Sequence, residues 1–109
     1  MSDQITFDEF KKSEIRVGKV LECEKVEDAD KLLKLQVDFG DFKRQIVSGI
    51  AESFAPEDLI GKSFPFIVNL EHRKIRGEES QGMILAMDVD DSTVLLEPSS
   101  DVKPGTKVV

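Results

Sequence analysis

The sequence predicts an all-β domain, a small five-stranded barrel with one short helix, and three observations support it. Leu33, Leu35 and Val37 alternate with Lys34, Gln36 and Asp38, the two-residue period of a half-buried strand. Phe64, Phe66, Val68 and Leu70 repeat that period. Turn-forming groups at Asp28-Ala29-Asp30, Phe39-Gly40-Asp41, Asp90-Asp91 and Pro104-Gly105 leave room between them for short strands.

The elements follow in order. Thr6-Phe7-Asp8-Glu9 has the capping-box pattern, in which hydroxyl and carboxylate satisfy free amides at a helix start, so a single helical turn is expected through Lys11 or Lys12. Residues 15–26 read as one long strand whose alternation breaks near Gly18, as at a β-bulge. The Asp28-Ala29-Asp30 turn leads to the Leu33–Val37 strand, and Phe39-Gly40-Asp41 closes a hairpin into residues 43–50. Pro56 to Gly61 places proline and acids where a short helix starts and glycine where it stops. Pro65 in the next strand points to an unpaired edge position. Met83 to Met87 and Thr93 to Leu96 form a second hairpin across Asp90-Asp91, and Pro104-Gly105 turns the chain into a last apolar pair, Val108-Val109.

Five or six short strands, with a helix between the third and fourth, match a closed barrel of the oligonucleotide-binding type, the OB-fold. An SH3-like barrel produces a similar string. The chain reads as a single domain over residues 1–109, with a lead-in at 1–14 and a C-terminal β extension at 98–109.

Charge is the main argument against a nucleic-acid partner. With 15 basic and 22 acidic residues the net charge is −7, whereas such binders are usually basic. The charge is uneven, however: residues 43–76 carry 6 basic and 4 acidic groups. The one cysteine, Cys23, excludes an internal disulfide, fits a reducing compartment and lies in an apolar strand as a buried inert thiol would. No apolar run approaches a membrane span and no signal sequence opens the chain, so a cytoplasmic protein is expected.

Within that positive middle, residues 72–83 concentrate Arg73, Lys74 and Arg76 in a loop made pliable by Gly77 and Gly82. The loop joins the fourth strand to the fifth, a position that borders the binding face of this barrel. Clustered cations there suit a phosphate backbone. Ser80 and Gln81 add neutral donors and acceptors for phosphate or 2′-hydroxyl groups, and Met83 reads either as a surface for a nucleotide or as a core residue. Lys43 and Arg44 add cations to the same face or decorate a hairpin, and Lys31 and Asn69 are similar cases. With no Trp or Tyr and seven Phe, of which Phe64 and Phe66 read as core, the chain has few rings on which to stack successive bases. Recognition of a folded RNA by shape and backbone fits better than reading along a single strand.

Catalysis finds no such support. His72 is the only histidine, no cysteine stands ready to share a metal with it, and no nucleophile triad, metal loop or glycine-rich phosphate motif appears. No cofactor is expected, and the sequence reads as that of a binder.

Three segments occur together in register: Asp28-Ala29-Asp30-Lys31-Leu32, Arg44-Gln45-Ile46-Val47-Ser48-Gly49-Ile50, and Arg73-Lys74-Ile75-Arg76-Gly77 followed by Ser80-Gln81-Gly82-Met83. Together they closely resemble the tRNA-binding domain family, which stands at the C-terminus of many methionyl-tRNA synthetases and also occurs as free-standing tRNA-binding proteins. The resemblance spans about residues 5–109. It implies an OB-fold with a C-terminal extension, a homodimer, tRNA recognised by overall shape, and possible association with an aminoacyl-tRNA synthetase. Carried over residue by residue, it implies a tRNA-binding face of Lys31, Arg44, Asn69, Arg73, Lys74, Arg76, Ser80 and Met83. His72 and Glu27 stand where the family commonly has proline. Ile5, Phe7 and Phe10 with Val108 and Val109 are candidate apolar surface for the dimer. A relative resembles a secretion chaperone that binds unfolded polypeptide, so a peptide-binding chaperone and a protein-docking module for a synthetase are the alternatives.

Overall fold

A long bent strand organises the molecule. The computed structural model describes residues 2–109, in which a helical turn α1 (Phe7–Lys11) precedes β1 (Ile15–Val26), β2 (Ala29–Asp38), β3 (Lys43–Ser48), β4 (Ser63–Ile67), β5 (Arg73–Ile75), β6 (Glu78–Ser80), β7 (Met83–Ile84), β8 (Ala86–Val89) and β9 (Ser92–Leu95). β1 pairs with β2 from Lys19 onward and with β4 from Ile15 to Lys19, both antiparallel, so one strand belongs to both halves of the sheet. The sheet order is β3-β2-β1-β4-β7, with β5–β6 and β8–β9 as separate two-stranded hairpins.

The alternating residues of β2 and β4 point inward as their period requires. Leu33, Leu35, Val37 and Phe66 are fully buried together with Val20 and Ile46, and Phe39 meets Phe66 edge-on at 5.4 Å between ring centres. The helical turn at Pro56–Asp58 lies between β3 and β4, where the sequence places it, and is 3₁₀ rather than α. The capping box is present at α1, with Thr6 Oγ1 accepting from the Glu9 amide and Glu9 Oε1 from the Thr6 amide, each at 3.1 Å.

Four details depart from the sequence expectation. The five strands form a curled sheet that no continuous ladder closes into a barrel. β3 and the segment before β7 meet through one backbone bond, Gln81 N–H to Gln45 carbonyl at 2.7 Å, because the Gln45 and Val47 amides of β3 donate to side chains, Gln81 Oε1 and Ser80 Oγ, and not to backbone. The register shifts in β1 fall between Val20 and Glu22 and between Lys25 and Val26, not at Gly18. Gly18 is required for another reason: a Cβ there would stand 2.6 Å from Phe39 Cε1 and closer still to Val37 Cγ1.

Pro65 is not on an edge. It faces Val17 of β1, and its carbonyl accepts from the Leu85 amide at 3.1 Å. Val17 spends its own N–H and carbonyl on Thr106 and Gly105, so a proline opposite it forfeits no bond to β1. Finally, the 83–87 segment is divided, with β7 joining the sheet and β8 pairing with β9 across the left-handed Asp90-Asp91 turn. The C-terminal segment runs along β1 where β2 leaves it, through Val17 N–H to Thr106 carbonyl at 2.8 Å and Val108 N–H to Ile15 carbonyl at 2.9 Å. Among the described residues, no helix is long and apolar enough to cross a membrane.

Candidate nucleic-acid interface

The basic stretch is a hairpin, not a pliable loop. Arg73, Lys74 and Ile75 pair with Ser80, Glu79 and Glu78 across a two-residue turn, Arg76-Gly77, whose φ angles of 54° and 83° are both left-handed. Two-residue hairpin turns take that backbone shape, which glycine adopts freely and arginine only at some cost. Pairing fixes the faces. Arg73, Ile75, Glu78 and Ser80 share one side, Lys74 and Glu79 the other, and the burial of Ser80 with the half-burial of Ile75 and Glu78 shows which side meets the sheet.

Arg73, Lys74 and Arg76 are exposed, and among the described residues none of the three enters an ion pair. The acids of the hairpin are engaged elsewhere. Glu78 faces Lys34 of β2, Oε2 to Nζ 3.4 Å, and Glu79 Oε1 accepts from Gln81 Nε2 at 3.0 Å. Lys34 also meets Glu24 at 3.1 Å, and the hydrogen bond to Glu24 holds the ammonium above its ordinary pKa.

The remaining site residues divide. Met83 is 44% exposed beside buried Ile84, which removes the core reading and leaves it on the surface. Arg44 is half-buried, with its guanidinium over the Phe42 ring at 4.8 Å, and it lines a shallow recess with Lys43, Gln45, Glu79 and Gln81 at the foot of the hairpin. Lys31 is exposed but distant from Arg44. Arg44 pairs with Val37, six residues along β2, which is about 20 Å of strand.

Ser80 and Asn69 are in structural use. Ser80 is buried, and its Oγ accepts from the Val47 amide at 3.0 Å and donates toward the Gly82 carbonyl at 3.0 Å, which anchors the hairpin to β3. Asn69 fixes the entry to β1, its Oδ1 accepting from the Glu14 amide at 2.8 Å and its Nδ2 donating to the Lys12 carbonyl at 2.6 Å. Sequence reasoning passed over Gln36 and Lys34 and weighed Gln45 only as part of a motif. Lys34 and Gln36 occupy outward positions in the β2 alternation, and that was the available signal.

Elsewhere the chain offers little chemistry. Desolvation pushes the half-buried Cys23 thiol up to about 11, so it is protonated at neutral pH. Among the described residues, no three His, Cys, Asp or Glu converge as a metal ion requires.

Comparison with known proteins places this geometry in context. Residues 15–107 match the family model described as "Putative tRNA binding domain". The chain is 50% identical over 106 residues to a methionine–tRNA ligase of Archaeoglobus fulgidus, covering 97% of this chain and 16% of that protein. It is 52% identical over 109 residues to the methionine–tRNA ligase of Porphyromonas gingivalis strain ATCC 33277, covering 99% and 16%. It thus spans about one sixth of the length of these curated relatives. Among solved structures, the MetRS-related protein from Pyrococcus horikoshii superposes with a TM-score of 0.94 at 41% identity, covering 99% of this chain and 100% of that one. The chaperone CsaA from Bacillus anthracis str. Ames gives 0.89 at 28% identity, covering 98% and 100%. The chain belongs to the tRNA-binding domain family.

Proposed function

We propose that this chain is a non-catalytic module that binds tRNA by shape, with Arg73, Lys74 and Arg76 on phosphates and Met83 against an exposed nucleotide. The observation that carries the reading is a hairpin presenting three exposed cations, none ion-paired among the described residues, while its acids are engaged elsewhere. Arg44 and Lys43 extend the cationic surface at its foot. Lys31 adds a more distant contact, and Asn69 acts through its junction with β1.

The aromatic inventory supports shape over sequence. Phe39, Phe64 and Phe66 are buried, and Phe42 and Phe54 pack on the core. Phe7 and Phe10 are exposed, but on α1 and not on the hairpin. Stacking platforms for a single strand are therefore missing where the cations are.

A homodimer completes the proposal. Phe7 and Phe10 line one surface recess with Val108 and Val109, and Ile5 is exposed nearby in the chain, an apolar patch of the kind that marks interfaces. Two hairpins on one tRNA would raise affinity through joint engagement alone. Sedimentation at micromolar concentration should show dimer; monomer alone would remove this element. The relatives' names support action beside or within a methionyl-tRNA synthetase in the cytoplasm. The second reading, peptide binding, rests on the likeness to CsaA and on the same apolar patch.

The test is fluorescence anisotropy of bulk tRNA with a single-stranded RNA of equal length as competitor. Salt-sensitive binding that the competitor fails to displace is expected. Absence of binding at low salt, with binding of an unfolded polypeptide, would favour the chaperone reading.

A further inference from the structure

We infer that Gln45 and Gln81 are positioning residues for tRNA binding, a latch that sets where the basic hairpin stands over the sheet. This rests on the tRNA-binding reading above. Gln45 lies on β3 and Gln81 follows β6 directly. Four hydrogen bonds meet on Gln45. Its amide donates to Gln81 Oε1 at 2.9 Å, and its carbonyl accepts from the Gln81 amide at 2.7 Å. Its Nε2 donates to the Glu79 carbonyl at 2.8 Å, and its Oε1 accepts from Gln36 Nε2 at 3.0 Å.

Three of these four bonds end on Glu79 or Gln81, the strand that returns from the basic turn. That strand pairs with the cationic one, Lys74 opposite Glu79 and Arg73 opposite Ser80, so fixing residues 79–81 fixes Arg73 and Lys74. Arg76 follows through the tight turn. The other attachments are fewer. Ser80 Oγ holds the Val47 amide, and the Lys34–Glu78 pair is long and partly exposed. Of the hairpin's residues, Ser80 alone is buried, so directional polar contacts, not core packing, decide the angle of this arm.

Orientation matters because phosphates are spaced along a fixed backbone. Cations on a held arm meet them with little further loss of freedom, while cations on a loose arm must be ordered at binding. The glutamines carry no charge, so replacing them leaves every cation of the hairpin in place, and a change in salt slope reports where those cations stand.

The test is Gln45→Met with Gln81→Met, which keeps side-chain length and removes side-chain hydrogen bonding, alongside each single variant in case the pair folds poorly. Two quantities are read: tRNA affinity at several salt concentrations, and amide hydrogen exchange in the free protein. The expected result is an affinity about tenfold lower and a salt slope shallower by about 0.9 for each phosphate that the loosened arm fails to neutralise. Exchange should accelerate over residues 73–81, with β1 and β2 still protected. Unchanged affinity and slope in a parent that binds tRNA would overturn the latch alone. Accelerated exchange through the whole sheet with an unchanged slope would also overturn it, since that is general destabilisation. A parent that binds no tRNA would overturn the functional reading, and the inference with it.

Discussion

Lys34 Nζ and Glu78 Oε2 stand 3.4 Å apart, joining β2 to the returning strand of the basic hairpin. Two effects compete at this contact. It helps hold the hairpin, and Glu78 also places a negative charge beside the proposed phosphate path. A long, partly exposed pair holds weakly, and the hydrogen bonds of Gln45, Gln81 and Ser80 remain without it. Charge should therefore win. Glu78→Gln is expected to tighten tRNA binding by roughly two- to fivefold at low salt, with the gain fading as salt screens the charge. Weaker binding would mean that the ion pair is the principal anchor.

Gly18 makes a stability prediction separate from binding. A methyl group there would press on Val37 and on the Phe39 ring, both in the core. Gly18→Ala should cost about 1–3 kcal/mol in urea unfolding, while the tRNA affinity of the folded protein stays the same.

Acid sensitivity is expected from Glu14. The hydrogen bond from Arg16 holds its carboxyl below the ordinary value of 4.5, so the carboxylate favours the folded state above that pH and the contribution is lost as pH falls through the lowered value. Arg16 also donates to the Gly105 carbonyl at 2.8 Å, so the C-terminal segment loosens with it. For a partly exposed surface pair, screened by solvent, the effect is at most about 1 kcal/mol. Unfolding measured between neutral pH and pH 3 should show Glu14→Gln losing less stability than the parent across that range; parallel curves would exclude the pair.

Cys23 should be slow to react. Burial raises its pKa from 9.0 to about 11, which lowers the thiolate fraction about 100-fold at neutral pH. Alkylation in native buffer should lag that in urea by about that factor. Equal rates would show that β1 opens freely around the thiol.

Most of the sheet was legible because burial on one face imposes a period of two. Leu33, Leu35 and Val37 announced β2, Phe64 and Phe66 announced β4, and Thr6 with Glu9 announced α1. The basic segment hid its strands because Arg-Lys-Ile and Glu-Glu-Ser hold a single apolar residue, Ile75, and are too short to show alternation. Pro65 misled because its place opposite a Val17 already bonded to the C-terminal segment is a fact of tertiary structure. The cations of the site could be read directly as charge. Ser80 and Asn69 could not be sorted, since a hydroxyl or amide that holds backbone looks the same in sequence as one that awaits a ligand.

The central claim is that the hairpin cations contact tRNA phosphates, and the salt dependence of binding measures this most directly. The logarithm of the association constant should be plotted against the logarithm of salt concentration for the parent and for Arg73→Ala with Arg76→Ala. If the pair neutralises two phosphates, the slope of the double variant should be shallower by about 1.8, with affinity falling alike for different tRNA species. An unchanged slope with unchanged affinity would remove the hairpin from the binding site.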